Sequence, residues 1–396
     1  MNIVLIQVIY MSREYDLRIE DQLLLNCSIT RISNEKIKDI RNLVNMGINW
    51  DYLVNMAQKH RLNYLLYWQL DKICPEKIPD NVKLKLQGDF QANVHRNLAM
   101  FRELVSVMNI LKKHGITPIP YKGPVLAIMT YKNLGFRSFG DLDFYVSWED
   151  VSRTREILIE NGYEPLMELS PNQEEAFHKF QREYHFNNKS TGITLEIKWK
   201  FLSMLPSINE TFCHDSKFLS EVYLDQFKVK TVSPEPLILI LAIHNASHSF
   251  SSLYRFCDLS EIIKSEESVN WWHLMETANK LRVCNIFMIN LYILRELFQI
   301  ELPDDVQEQF DVDVAKLSEE IIKNFFRENK MGVLKKVGFN MRLREKRGDK
   351  IKVVLGMIFQ PTPGVIDSVS LPPILQPLYY ILRVFQMLKN VITVEK

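Results

Sequence analysis

Apolar residues return at three- and four-residue steps through "INWDYLVNMAQKHRLNYLLYWQL", where Trp50, Leu53, Val54, Ala57, Leu62, Leu65 and Leu66 fall on one side of a helix. The helical texture runs from Asn34 to about Arg102, and a long second segment, "DNVKLKLQGDFQANVHRNLAMFRELVSVMNILKKHG", stops at Gly115, a natural C-cap. The pattern then changes. "ITPIPYKG" reads as a short strand, "PVLAIMTYKN" as a helix with Pro124 at its first position, and "FGDLDFYVS" as a strand. "EDVSRTREILIENGY" is an amphipathic helix closed by Asn161-Gly162, and "EYHFNNKSTGITLEIKWKF" is two alternating strands around "KSTG". After the Pro-punctuated "TVSPEP" the chain is helical to its end, through "PLILILAIHNASHSF", "WWHLMETANKLRVCNIFMINLYILRELF", "DVAKLSEEIIKNFFREN" and "LQPLYYILRVFQMLKNVI". The expected class is therefore α+β: a helical segment over 1–102, an α/β core over 103–230 and a helical domain over 231–396.

Composition narrows this picture only slightly. The 396 residues are 46% hydrophobic, enough for a large core, and carry 49 basic against 48 acidic residues, a net charge of +1. No bulk electrostatic pull toward nucleic acid or membrane follows. Five scattered cysteines (Cys27, Cys74, Cys213, Cys257, Cys284) with no CxxC pair fit a reducing cytoplasm rather than a disulfide framework or zinc ribbon. "MNIVLIQVIYM" has no basic flank and no cleavage site and is too short to span a membrane, and Met11 is an alternative start. The C-terminal amphipathic run contains Gln376, Arg383 and Gln386, so it is expected to pack on the helical domain rather than touch a membrane.

The chemistry concentrates in "RSFGDLDFYV". Strand side chains alternate faces, so Asp141, Asp143 and Tyr145 share one face while Leu142, Phe144 and Val146 share the other. Carboxylates at i and i+2 lie about 7 Å apart along a strand, close enough to bracket two divalent ions about 3.5–4 Å apart. In "ITLEIKWKF" the polar face holds Glu196, Lys198 and Lys200. With "KSTG" as the loop, Asn188 pairs with Ile193, Phe186 with Leu195, and His185 falls opposite Glu196, a third carboxylate. Upstream, "YKGP" sets Lys122 and Gly123 at a strand-to-helix turn whose free N–H groups suit phosphate, and Arg137 offers a second cation.

"LKKHGITPIPYKGPVLAIMTYKNLGFRSFGDLDFYVSWEDVSRTREILIENGY" resembles the core of the bacterial uncharacterised nucleotidyltransferase family within the DNA polymerase β-like superfamily, with its KG turn, R-x-x-x-D-[IL]-D run and GY. "LEIKWKF" is similar to that family's third-acid strand, and "HNASHSFSSLYRFCDL" to its helical His-x-x-x-His…Arg-x-x-Asp segment. The resemblance implies that Asp141 and Asp143 hold Mg²⁺ (or Mn²⁺) as a pair of ions. It implies that Glu196 completes the catalytic-metal site and helps deprotonate the acceptor hydroxyl, and that Lys122, Gly123 and Arg137 meet the triphosphate. Lys198 departs from the pattern, standing where the family has a His.

Plainer readings exist for each feature. A bare DxD is common by chance, and Lys122 alone is most simply a surface lysine. His244 and His248 have the spacing of a zinc pair, but no acid or Cys lies at ligand spacing, so a helix facing the nucleotide is the better reading. Arg255 and Asp258 at i and i+3 read as an intrahelical ion pair. The expected nucleotide-binding set is Lys122, Gly123, Arg137, His185, His244 and His248. The expected reaction moves a nucleoside monophosphate from an NTP, ATP by default, to an acceptor with pyrophosphate leaving. The acceptor is a small molecule, sugar, peptide or protein; neither charge nor aromatic–basic patterning favours nucleic acid. The alternative is a catalytically idle protein that keeps the fold and binds a nucleotide or partner.

Overall fold

A computed structural model describes residues 15, 17–201, 218–327 and 333–394. The alternative starts at Met1 and Met11, and Cys213, lie outside the described residues. The chain clusters into two compact units, each assembled from separate stretches: 1–105 with 121–140 and 215–330, and 106–120 with 141–214 and 331–396.

The second unit is built on a five-stranded mixed sheet. Its strands are β1 (Ile119–Pro120), β2 (Asp141–Tyr145), β3 (Tyr163–Pro165), β4 (Glu183–Asn188) and β5 (Thr194–Lys198), in the order β1-β2-β5-β4-β3. β2 and β5 run parallel, and the other neighbours are antiparallel. Alternation puts Leu142, Phe144, Tyr184, Phe186, Leu195 and Ile197 on one face, and all six are buried. Each such side chain contributes about 1.5–3 kcal/mol. The hairpin register is the one its pattern predicts: His185 opposes Glu196, Phe186 opposes Leu195, and the Asn188 N–H donates to the Ile193 carbonyl.

The helix Val151–Glu160 buries Val151, Thr154, Ile157 and Leu158 at helical spacing, and Gly162 takes φ +88° just after it. A further helix, Pro171–Phe180, starts with a Ser170/Gln173 capping box.

The first unit gathers N-terminal and C-terminal helices together. Glu261 accepts from the Thr30 N–H (2.7 Å) and hydroxyl (2.5 Å). Helix Pro234–Ser247 is apolar almost all round and buried accordingly. Its Asn245 donates to Asn290, which donates in turn to the Ala242 carbonyl. Two expected helices are each broken by a left-handed residue, Arg61 between Trp50–Lys59 and Asn63–Ile73, and Arg282 between Trp271–Lys280 and Cys284–Phe298. The expected helix after Lys122 is one α-turn, Gly123–Leu126, continued by a π-turn over Ala127–Tyr131 and ended by Lys132 at φ +55°. A hairpin of β6 (Leu219–Leu224) and β7 (Phe227–Val232) completes the unit. Among the described residues no helix is long and apolar enough to cross a membrane.

His60 is fully buried. Its Nε2 lies 2.9 Å from the Phe325 carbonyl, and its Nδ1 accepts from the Leu253 N–H. Only the neutral ring satisfies both, and burial followed by the nearby Lys59 charge lowers its pKa from 6.5 to about 4. Because the unfolded chain takes up the proton first, stability present above pH 6.5 is lost as pH falls toward 4. Roughly 3 kcal/mol is at stake. Denaturant titrations across that range should show His60→Gln losing less stability on acidification than the wild type; parallel losses would contradict this role.

Candidate active site

On the face of the sheet opposite the apolar core, three strands set nine side chains in a grid. Asp143 on β2 sits beside Glu196 on β5, which sits beside His185 on β4. The next row is Tyr145, Lys198 and Glu183, and the row on the other side is Asp141, Thr194 and Asn187. The two aspartates, the third acid and His185 are thus brought onto one surface of one unit.

At the centre lies a lysine. Lys198 Nζ is 2.9 Å from Asp143 Oδ1, 2.8 Å from Glu183 Oε2 and 2.5 Å from Glu196 Oε2. Lys198 and Asp143 are both buried. His185 bridges two of these carboxylates, with Nδ1 3.5 Å from Glu196 and Nε2 3.7 Å from Glu183. Burial and the Asp143 charge raise the Glu196 carboxyl, against the pull of Lys198. Burial pushes Glu183 the same way, but the His185 hydrogen bond and the Lys198 and Arg182 charges outweigh it and hold Glu183 well below the ordinary range. The hydrogen bond to Glu183 raises His185, partly opposed by burial. Glu183 was missed from sequence, although its signal was present: it lies two residues before His185 and so on the same face.

The oxygens on this face are hard donors of the kind Mg²⁺ and Mn²⁺ take. Asp141, Asp143 and Glu196 would hold a divalent ion. The donor set fits one, provided Lys198 releases Asp143 and Glu196. Among the described residues no cluster of three His, Cys, Asp or Glu side chains already has metal-ligating geometry.

The remaining predicted residues belong to the first unit. Lys122 is buried, and its Nζ lies 3.5 Å from His244 Nδ1. The His244 and His248 rings meet edge to face with centroids 4.5 Å apart. Gly123 takes φ +54°, which a residue with a Cβ rarely adopts. Arg137 is turned to a different task. Its Nε donates to both oxygens of Asp258 at 3.0 Å, and Tyr131 donates to the same carboxylate at 2.9 Å. Burial opposes the Arg137 charge, yet Asp258 carries its pKa above the ordinary value. The intrahelical Arg255–Asp258 pair is not what forms: Asp258 is taken by Arg137 and Tyr131, and Arg255 lies over the Tyr254 ring.

The loop ahead of β2 is pinned from the helix Asp80–Lys113. Asn97 donates to the Leu134 and Arg137 carbonyls at 2.6 and 2.8 Å, and Asn93 donates to Gly135 and Arg137. Gly135 comes so close that an added Cβ would stand 2.8 Å from Val94 Cγ2. Arg96 reaches the Ser138 hydroxyl.

A family model described as an uncharacterised nucleotidyltransferase matches residues 46–299, more than half the chain. The protein belongs to that family. It is a transferase of the nucleotidyltransferase class, and its acidic grid lies within the matched span. The sequence matches no curated protein. A solved structure of the lincosamide antibiotic adenylyltransferase LnuA, lincomycin-bound, aligns with 42% of this chain and 97% of its own at 14% identity and a TM-score of 0.31. A likeness that weak carries no weight for fold or acceptor.

Asp258 should be the costliest single loss in the first unit. Asp258→Ala leaves Arg137 buried and unpaired, expected to cost about 3–5 kcal/mol. Replacing both, Arg137→Met with Asp258→Leu, should cost much less. Urea unfolding of the three proteins checks this, and a loss below about 1 kcal/mol for Asp258→Ala would contradict it.

Proposed function

We propose that this nucleotidyltransferase moves a nucleoside monophosphate from an NTP, ATP by default, to the hydroxyl of a small-molecule acceptor, releasing pyrophosphate. The observation that supports this most is the Asp143–Glu196–His185 row on one sheet face of a chain that belongs to a nucleotidyltransferase family. Bound Mg²⁺ or Mn²⁺, as two ions, would neutralise the triphosphate and lower the acceptor's pKa. Asp141 and Asp143 supply carboxylate oxygens at the nucleotide end. Glu196, raised above the ordinary carboxyl range, is suited to take the acceptor proton. His185 orients Glu196, and Glu183 stays ionised beside it to fix the ring. Lys198 offsets charge on Asp143 and Glu196 until substrate and ions arrive. In the first unit, Lys122, the Gly123 turn, His244 and His248 are proposed to meet phosphate, with Arg137 shaping the loop and offering Nη1.

A small acceptor suits the cavity that opens beside Glu183 and His185. Its volume is about 950 Å³, and Phe177, Phe180, Tyr184 and Phe359 wall it together with Arg182 and Lys200. That combination of apolar walls with a few charged groups is the usual make-up of a small-molecule site. A reducing, cytoplasmic setting fits Cys27, Cys74 and Cys257, all free thiols.

Pyrophosphate release with Mg²⁺ or Mn²⁺ and a small-molecule extract tests the reading. Asp143→Asn should keep its circular dichroism and lose turnover at least about a hundredfold, together with metal-dependent nucleotide binding. Glu196→Gln should bind Mg²⁺ with a non-hydrolysable NTP nearly as well as wild type and still fail to turn over. Near-normal turnover in either variant would contradict the assignment.

A further inference from the structure

The C-terminal helix Leu378–Val394 is turned the wrong way round for a soluble protein. Its polar residues make the internal bonds. Gln376, just before it, is 1% exposed. Arg383 donates to Gln386 (3.0 Å) and to the Met357 carbonyl (3.4 Å), and Gln386 accepts from the Thr362 hydroxyl (3.0 Å). Leu378, Ile381, Phe385 and Leu388, spaced three, four and three, form a stripe along the other side, with Ile381 52% and Phe385 65% exposed. Its pattern predicts a stripe packed on the helical domain; the stripe faces solvent because the polar side holds the fold contacts.

The helix Arg347–Phe359 repeats the arrangement. It contributes no buried residue, and Ile351 and Leu355, four apart, are exposed. Ile374 and Leu375 add to the same region of the chain. Contiguous apolar surface of this kind marks an interaction site.

Charge selects the occupant. Residues 331–396 carry 11 Lys and Arg against 4 Asp and Glu, a net +7 in a chain whose total is +1. Lys346, Arg347 and Lys352 are exposed beside the first stripe. A second copy docked here would bring +7 against +7, which Coulomb repulsion disfavours, whereas an anionic bilayer offers both the apolar layer and the opposite charge. We propose that the exposed stripes of Arg347–Phe359 and Leu378–Val394 seat this protein on an anionic lipid surface. Both helices lie in the interface plane and neither crosses it.

Flotation of the full chain with vesicles of phosphatidylcholine alone, or of phosphatidylcholine mixed with phosphatidylglycerol, tests this. Binding is expected to the anionic vesicles, to weaken with added salt, and to fall at least about tenfold in Ile381→Asp with Phe385→Asp. Both positions are exposed, so that variant should melt like wild type; Ile381→Ser with Phe385→Ser serves if it does not. No binding to either vesicle, or binding that both double variants retain, would overturn the proposal. So would light scattering that shows a dimer which the double variant dissociates, since the stripe would then join two copies.

Discussion

One lysine ammonium holds together a surface that would otherwise push itself apart. Asp141, Asp143, Glu183 and Glu196 crowd one face of three adjacent strands, and the last three converge on Lys198 Nζ. Half-buried carboxylates at this spacing need a cation, because each has lost much of its water and each raises its neighbour. Lys198 supplies that charge from within the chain.

The geometry follows from two ordinary facts about strands. Period-two alternation separates the carboxylates from the apolar core, and parallel pairing of β2 with β5 sets Asp143 directly beside Glu196. Neither works if β2 slips by one residue, since Asp141 and Asp143 would then turn into the core, away from Glu196. The loop that leads into β2 is fixed by Asn93 and Asn97 on its carbonyls and by the Arg137–Asp258 pair on its side chain. Arg137 therefore acts first as structure, with Nη1 a buried nitrogen that makes no hydrogen bond.

What could be read from the sequence was what depends on neighbours a few residues apart. "DLDFYV", "KSTG" and "ITLEIKWKF" carry their own periodicity, and from them the polar face, the hairpin register and the Glu196–His185 pairing follow directly. Contacts between distant stretches had no local trace. Arg137 meets Asp258 across 121 positions, whereas the local i,i+3 rule pointed Asp258 at Arg255. The β6–β7 hairpin was passed over although "FKVKTV" alternates, because its turn, Asp225 in the left-handed region, has no Gly or Pro to announce it. Polar residues in the last helix argue locally against an exposed apolar face, yet they are the side that faces the protein.

Lys198 Nζ stands where Asp143, Glu183 and Glu196 converge, the charge position proposed for a divalent cation. Calorimetric titration of Mn²⁺ into wild type and Lys198→Met, both with intact circular dichroism, tests it most directly. Removal of the ammonium should tighten Mn²⁺ binding at least about tenfold and lower the metal-free unfolding midpoint, with Mn²⁺ restoring it. Unchanged Mn²⁺ affinity together with unchanged stability would contradict the claim.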